Sequence, residues 1–192
     1  MCGRYNFTVE ESTEMQDIID KLNAKAKSPF QGKTLKTGEI FPTDLAPILI
    51  EEGNKVSSAA CGWGFPRFDN KGVIINARSE TAFEKKTFRN SLLNYRCIIP
   101  STGFYEWDSS KKKFVFNMEG SKALYMAGLY AYYGAEMRFV ILTTDANESI
   151  KDVHSRMPLV IPKEEIKTWI LDYSATNDFL QRVPPRLVKE AV

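Results

Sequence analysis

The chain has 192 residues, 43% apolar and 26% charged, which is enough for one domain with a real core and ordinary for a soluble globular protein. A net charge of +2 excludes a polycation, so a nucleic-acid partner would need a local basic cleft. Three scattered cysteines (Cys2, Cys61, Cys97), no CxxC pair and a single histidine, His154, argue against a disulfide framework and a structural metal site, and no run approaches the ~20 apolar residues of a membrane span.

The chain opens Met1-Cys2-Gly3-Arg4. Removal of Met1, favoured by the small side chain that follows, makes Cys2 the N-terminus, provided no leader precedes it. One residue then carries an α-amine, with a pKa of about 7.7–8.0, and a thiol, about 8.5, so both are partly nucleophilic near neutrality. A 1,2-aminothiol condenses with an aldehyde to an imine, and the thiol closes onto the imine carbon to give a thiazolidine. The plainer reading is an exposed terminal cysteine.

Gly3 to Phe7 reads as a short extended segment. Thr8 with Glu11 has the capping-box form, and Met15, Ile18, Ile19 and Leu22 recur at helical spacing, which predicts a packing helix ending near Lys27 before Ser28-Pro29. Gln31 to Pro47 is a loop-rich connection. Ile48–Glu51 and Val56–Cys61 read as strands around a Gly53-Asn54 turn, and Gly62 to Phe68 as a shaped loop whose Trp63 joins the core. Val73-Ile74-Ile75 reads as a buried strand delivering Asn76-Ala77-Arg78, with Ser79 capping a helix over much of Glu80 to Asn94. From Arg96 to Val140, β-branched and aromatic runs alternate with turns near Asp108–Lys111, Glu119–Ser121 and Gly134, a meander of antiparallel strands. A short helix is expected over Glu148 to Val153, another from Pro162 through Leu171, and an extended tail over Val183 to Val188. The class is α+β, a single domain over residues 1–192 with no repeat or linker.

Four polar residues stand at or within apolar runs: Asn76, Glu106, Thr143 and His154. Glu106, flanked by rings in Phe104-Tyr105-Glu106-Trp107, would gain proton affinity if desolvated, as a proton shuttle requires. Any imidazole proton transfer must use His154. The plainer readings are an outward-facing strand carboxylate, a surface or satisfied core histidine, and strand termination by Asn76. Arg4, Arg78 and Arg156 each follow Cys2, Asn76 and His154 by two residues, so convergence of those groups would ring one cleft with guanidiniums suited to phosphates. Taken singly, each is a solvated arginine.

Met1-Cys2-Gly3-Arg4, Ile75-Asn76-Ala77-Arg78-Ser79-Glu80, Gly103-Phe104-Tyr105-Glu106-Trp107 and His154-Ser155-Arg156-Met157-Pro158 come in the order seen in SRAP-domain proteins, and the chain resembles that family along essentially its whole length. The resemblance implies a barrel-like, mostly antiparallel β core flanked by helices. It implies a protein that removes its own Met1 and traps the open aldehyde of an abasic site in single-stranded DNA as a thiazolidine crosslink on Cys2, with weak lyase activity through the imine. It assigns Asn76 to holding the cysteine and the sugar, Glu106 to proton handling, and His154 to ring opening and reversal. Arg4, Arg78, Thr143 and Arg156 match backbone-contacting positions, and Phe68 an aromatic wedge beside the lesion. The expectation is a monomer without metal or cofactor, in the cytoplasm, at the nucleoid in a bacterium. Two departures stand out: Glu39-Ile40-Phe41-Pro42-Thr43 replaces the commoner Tyr-Asn-x-Ala-Pro loop, and Phe68-Asp69 replaces adjacent tryptophans. Two alternatives remain: an N-terminal-nucleophile amidohydrolase, in which the amine is base and the thiol attacks an amide, and a non-catalytic single-stranded nucleic-acid module.

Overall fold

The computed structural model describes residues 2–10, 12–25, 34–69 and 71–192. The Glu11 half of the expected capping box and the expected helix end at Lys27 lie outside them.

The centre is a closed ring of strands. β3 (Leu45–Glu52) and β4 (Lys55–Trp63) form a hairpin. Its two-residue turn has positive φ at both Gly53 (59°) and Asn54 (61°), the signature of a turn whose twist matches that of the strands. β3 pairs with β8 (Arg96–Ser101), β8 with β11 (Leu124–Tyr133), and β11 with β12 (Glu136–Asp145), all antiparallel. β12 then runs parallel to β4 through Arg138↔Gly62 and Phe139↔Trp63, which closes the barrel. The expected barrel-like core is therefore present. Ile48, Cys61, Trp63, Cys97, Leu129 and Phe139 are fully buried on these strands. Trp63 stacks on Phe139 with ring centroids 6.1 Å apart and planes 5° apart, as its expected place in the core requires.

A second sheet has the order β14 (Leu187–Ala191), β10 (Lys113–Met118), β9 (Gly103–Trp107), β1 (Tyr5–Phe7), β2 (Gly38–Ile40). The expected single meander is thus divided. Only Thr102 separates β8 from β9, so the chain passes directly from barrel to sheet.

α1 (Thr13–Lys25) buries Met15, Ile18 and Leu22, the stripe its periodicity predicts. The Ser12 hydroxyl, rather than Thr8, accepts a cap hydrogen bond from the Met15 amide (3.4 Å). The helix expected across Glu80 to Asn94 is broken into a 3₁₀ turn at Ser79–Thr81 and α2 (Lys86–Asn94), because Lys85 is extended. Where a helix was expected over Glu148 to Val153 there are consecutive turns; Asn147 Oδ1 accepts from the Ser149 amide (3.0 Å), a local bond that competes with helical geometry. α3 (Ile166–Leu171) follows a 3₁₀ turn at Lys163–Glu165. α4 (Thr176–Gln181) is an element the sequence reading did not anticipate. Buried Arg96 ties α2 to α3, donating to the carbonyls of Leu92 (3.0 Å), Leu93 (3.0 Å), Trp169 (2.8 Å) and Ile170 (3.3 Å).

Candidate active site

The far end of β12 organises the site. β7 (Asn76–Arg78) pairs parallel along the edge that β4 leaves, and β13 (Arg156–Pro158) pairs antiparallel along the edge that β11 leaves. Thr143 therefore has Arg78 on one side and Pro158 on the other. The run expected as a strand through Ile75 is instead β6 (Val73–Ile74), hairpinned to β5 (Phe65–Pro66). Asn76 starts a strand of its own, because the Ile75 carbonyl accepts from Trp63 Nε1 (3.1 Å) and from the Ile141 amide (3.1 Å).

The other wall comes from β1 and β9. Tyr5 pairs with Phe104, and the Tyr105 amide donates to the Arg4 carbonyl (3.0 Å), so the residues before Tyr5 run alongside β9 toward Glu106. Alternation along β9 turns Phe104 and Glu106 to the buried face; Glu106 is 3% exposed. The outward-facing reading of this carboxylate is excluded.

Cys2 is 1% exposed. Asn76 Nδ2 donates to its carbonyl (3.0 Å), while the buried Asn76 Oδ1 has no partner among the described residues. The Cys2 thiol points to the Arg4 carbonyl (3.8 Å). Burial, with the nearby Glu106 carboxylate, pushes that thiol well above its ordinary value. Burial likewise raises Glu106, and the His154 ring opposes the rise. His154 Nδ1 accepts from the Arg156 amide (2.9 Å), with the Arg156 carbonyl 3.2 Å away. An amide can only donate, so in the neutral form of the ring Nδ1 offers its lone pair and Nε2 carries the proton. Cys2, Asn76, Glu106 and His154 thus converge.

The remaining candidates fall in different settings. The Arg4 guanidinium lies 4.5 Å from the Phe41 ring centroid and 5.2 Å from that of Trp107. Arg78 is exposed beside Asn76, and with Lys85 and Thr87 lines a cavity of about 390 Å³. Phe68, at the tip of the β5–β6 hairpin, is 102% exposed. Asp69 is paired with Arg67 (3.3 Å), so its charge is matched locally. Thr143 is buried, its hydroxyl 3.5 Å from the Ala77 carbonyl. The Arg156 side chain is 12% exposed and held by Glu80 and Asp145. Sequence reasoning missed Glu80, Asp145, Lys85 and the Phe41–Trp107 pair. Glu80 sat inside a quoted motif, but nothing local pairs it with a residue so far along the chain.

The model of the SOS response associated peptidase (SRAP) family matches residues 1–190. The chain belongs to the SRAP family. Among SRAP relatives, it is 32% identical over 195 residues to the abasic site processing protein YoaM of Bacillus subtilis, covering 94% of this chain and 84% of that one. It is 26% identical to the abasic site processing protein YedK of Escherichia coli, covering 88% and 79%. A crystal structure of a Bordetella bronchiseptica protein superposes with a TM-score of 0.75 at 26% identity, covering 100% of this chain and 99% of that one. Among the described residues of this SRAP chain no group of three or more His, Cys, Asp and Glu could hold a metal, and no helix is long and apolar enough to cross a membrane.

Proposed function

We propose that this SRAP chain, once Met1 is removed, traps the aldehyde of an abasic site in single-stranded DNA as a thiazolidine on Cys2. The observation that carries the reading is a buried Cys2 whose carbonyl Asn76 holds (3.0 Å), on a segment that runs alongside β9 toward the buried carboxylate of Glu106. The relatives named abasic site processing proteins supply the substrate class.

The order of steps follows from protonation. The thiol is kept protonated by burial, so the α-amine attacks first. Its nitrogen bonds to the aldehyde carbon, and the carbonyl oxygen leaves as water after taking protons from the amine and a neighbouring acid. Glu106, whose raised proton affinity keeps an acid form available, is placed to give that proton. Losing one proton from the amine leaves an iminium whose nitrogen keeps the other. The thiol sulfur then adds to the iminium carbon while the thiol proton returns to the Glu106 carboxylate and restores the acid. Aldehyde and aminothiol become thiazolidine and water, with no redox change. Asn76 Oδ1, which has no partner among the described residues, accepts from the sugar hydroxyl or the new amine, and His154 serves the opened sugar through Nε2–H. Arg78 and Arg4 meet phosphates, Lys85 extends that track, and Phe68 stacks on a base beside the gap.

The test is to incubate mature protein with abasic and intact single strands and run a denaturing gel, with mass spectrometry of the N-terminus. A denaturation-resistant band on the abasic strand alone supports the reading. No band from protein shown to start at Cys2 overturns it, and glutamine hydrolysis without aldehyde trapping would replace it with the amidohydrolase.

A further inference from the structure

Arg156 does more than sit near His154. Its Nη1 bonds Glu80 and, at 2.6 Å, Asp145; its Nη2 bonds Glu80 Oε2 (2.9 Å) and the Thr143 carbonyl (2.7 Å). Glu80 follows β7, the strand of Asn76, whereas Arg156 begins β13, two residues after His154. These two elements lie on opposite edges of β12, so the Glu80–Arg156 pair arches over Thr143 and ties one wall of the site to the other. Asp145 is different in kind: it is on β12 itself, already the β-partner of Arg156, and 87% exposed. β13 has three residues, and Arg156↔Asp145 is its terminal pair. Beyond it a single backbone bond, from the Ala146 amide to the Ser155 carbonyl (3.0 Å), closes the ladder, so the side-chain clamp adds to the one bond that keeps this end from fraying. The amide at this strand end is the one that donates to His154 Nδ1 (2.9 Å).

We propose that Glu80 is a positioning residue: through the Arg156 guanidinium it fixes the backbone amide that holds His154 in its Nε2–H tautomer. Its use in catalysis rests on the proposed function. Arg156 in this reading is a tie-bar between the segment after β7 and the start of β13.

The single histidine makes the test direct. Protein labelled with ¹⁵N-histidine reports from one ring which nitrogen carries the proton, with no DNA present. Wild type should show one bare and one protonated nitrogen. Glu80→Gln should move both signals toward the average of the two tautomers, Glu80→Asp should restore at least part of the separation, and Asp145→Asn should leave it unchanged. With abasic single strand at saturation, Glu80→Gln should slow crosslinking at least tenfold while affinity for intact strand stays within twofold. Unchanged ring signals in both Glu80→Gln and Glu80→Ala would overturn the proposal, as would an equal effect of Asp145→Asn. So would intact-strand binding that tightens in Glu80→Gln with a salt slope steeper by about one, the mark of a phosphate-binding arginine set free. If wild type makes no crosslink, the proposed function fails, while the ring signals still decide the positioning role of Glu80.

Discussion

Asn76 Nδ2 donates to the Cys2 carbonyl across 74 residues of chain (3.0 Å), joining the strand beside β12 to the segment leading into β1. The bond holds Cys2 by its backbone and does not engage its thiol, as the proposed trapping chemistry requires. Asn76→Asp replaces the donor with an acceptor facing a carbonyl. It should reduce crosslinking by at least tenfold, measured as the initial rate on abasic single strand, while costing about 1–3 kcal/mol of stability in a denaturant titration. A rate within twofold of wild type would remove the role given to this bond.

Cys2→Ala keeps an amine and deletes the thiol. The stable denaturation-resistant complex should disappear, because an imine cannot close to a ring. Borohydride should still capture an imine on the Ala amine, and strand cleavage should rise, since ring closure no longer diverts the imine from elimination at the 3′ phosphate. Equal stable crosslinking by Cys2→Ala on a denaturing gel would contradict the thiol's part.

Local patterns were legible where the physics is local. Met15, Ile18 and Leu22 mark a helical face whatever it packs on, and Gly53-Asn54 marks a hairpin because both positions need positive φ. Convergence of the four motifs was implied by family likeness, and the geometry brings Cys2, Asn76, Glu106 and His154 together. What was not legible depends on long-range pairing. The parallel β4–β12 contact that closes the barrel joins residues such as Gly62 and Arg138, and no turn signal announces it. The break at Lys85 lies in a segment whose composition suits a continuous helix, yet Glu80 is drawn to Arg156 in a distant strand. Arg156 itself shows the limit of reading charge locally: two residues from a site histidine, its guanidinium has carboxylate partners, Glu80 and Asp145, that no nearby pattern announces.

Phe68 projects wholly into solvent from a two-strand hairpin, and no packing among the described residues accounts for a bare ring there. Phe68→Ala should change stability by no more than about 0.5 kcal/mol. Affinity for abasic single strand should fall by about 1–3 kcal/mol, roughly five- to 150-fold in Kd. Fluorescence anisotropy with a labelled strand measures this under conditions that block crosslinking. An unchanged Kd would take Phe68 out of the binding surface.

Gly128 sits where β11 is held between β8 and β12. A Cβ there would lie 2.3 Å from Ile99 Cδ1 and 2.7 Å from the Val140 carbonyl oxygen, which is backbone and cannot swing away. Gly128→Ala should therefore destabilise the barrel by about 1–3 kcal/mol in urea unfolding, despite adding only a methyl group. A neutral result would mean that the strands can part at this point without cost.

Glu106 gives the pH dependence a definite sign. Burial raises its proton affinity in the folded chain, so folded protein keeps a proton that unfolded chain has already released. The stability this contributes is complete below the unfolded value, about 4.3, and is lost as pH rises through the higher folded value. Glu106→Gln is neutral at every pH and carries no such loss. Its Tm measured against wild type should therefore improve steadily as pH is raised from 4 upward, by roughly the 1.4 kcal/mol that each pH unit inside the window represents. Over the same range the variant should crosslink at least tenfold more slowly, because the amide cannot take up the thiol proton. A Tm difference independent of pH would show that the carboxyl ionises as freely in the fold as outside it, and the proton-handling role would go with it.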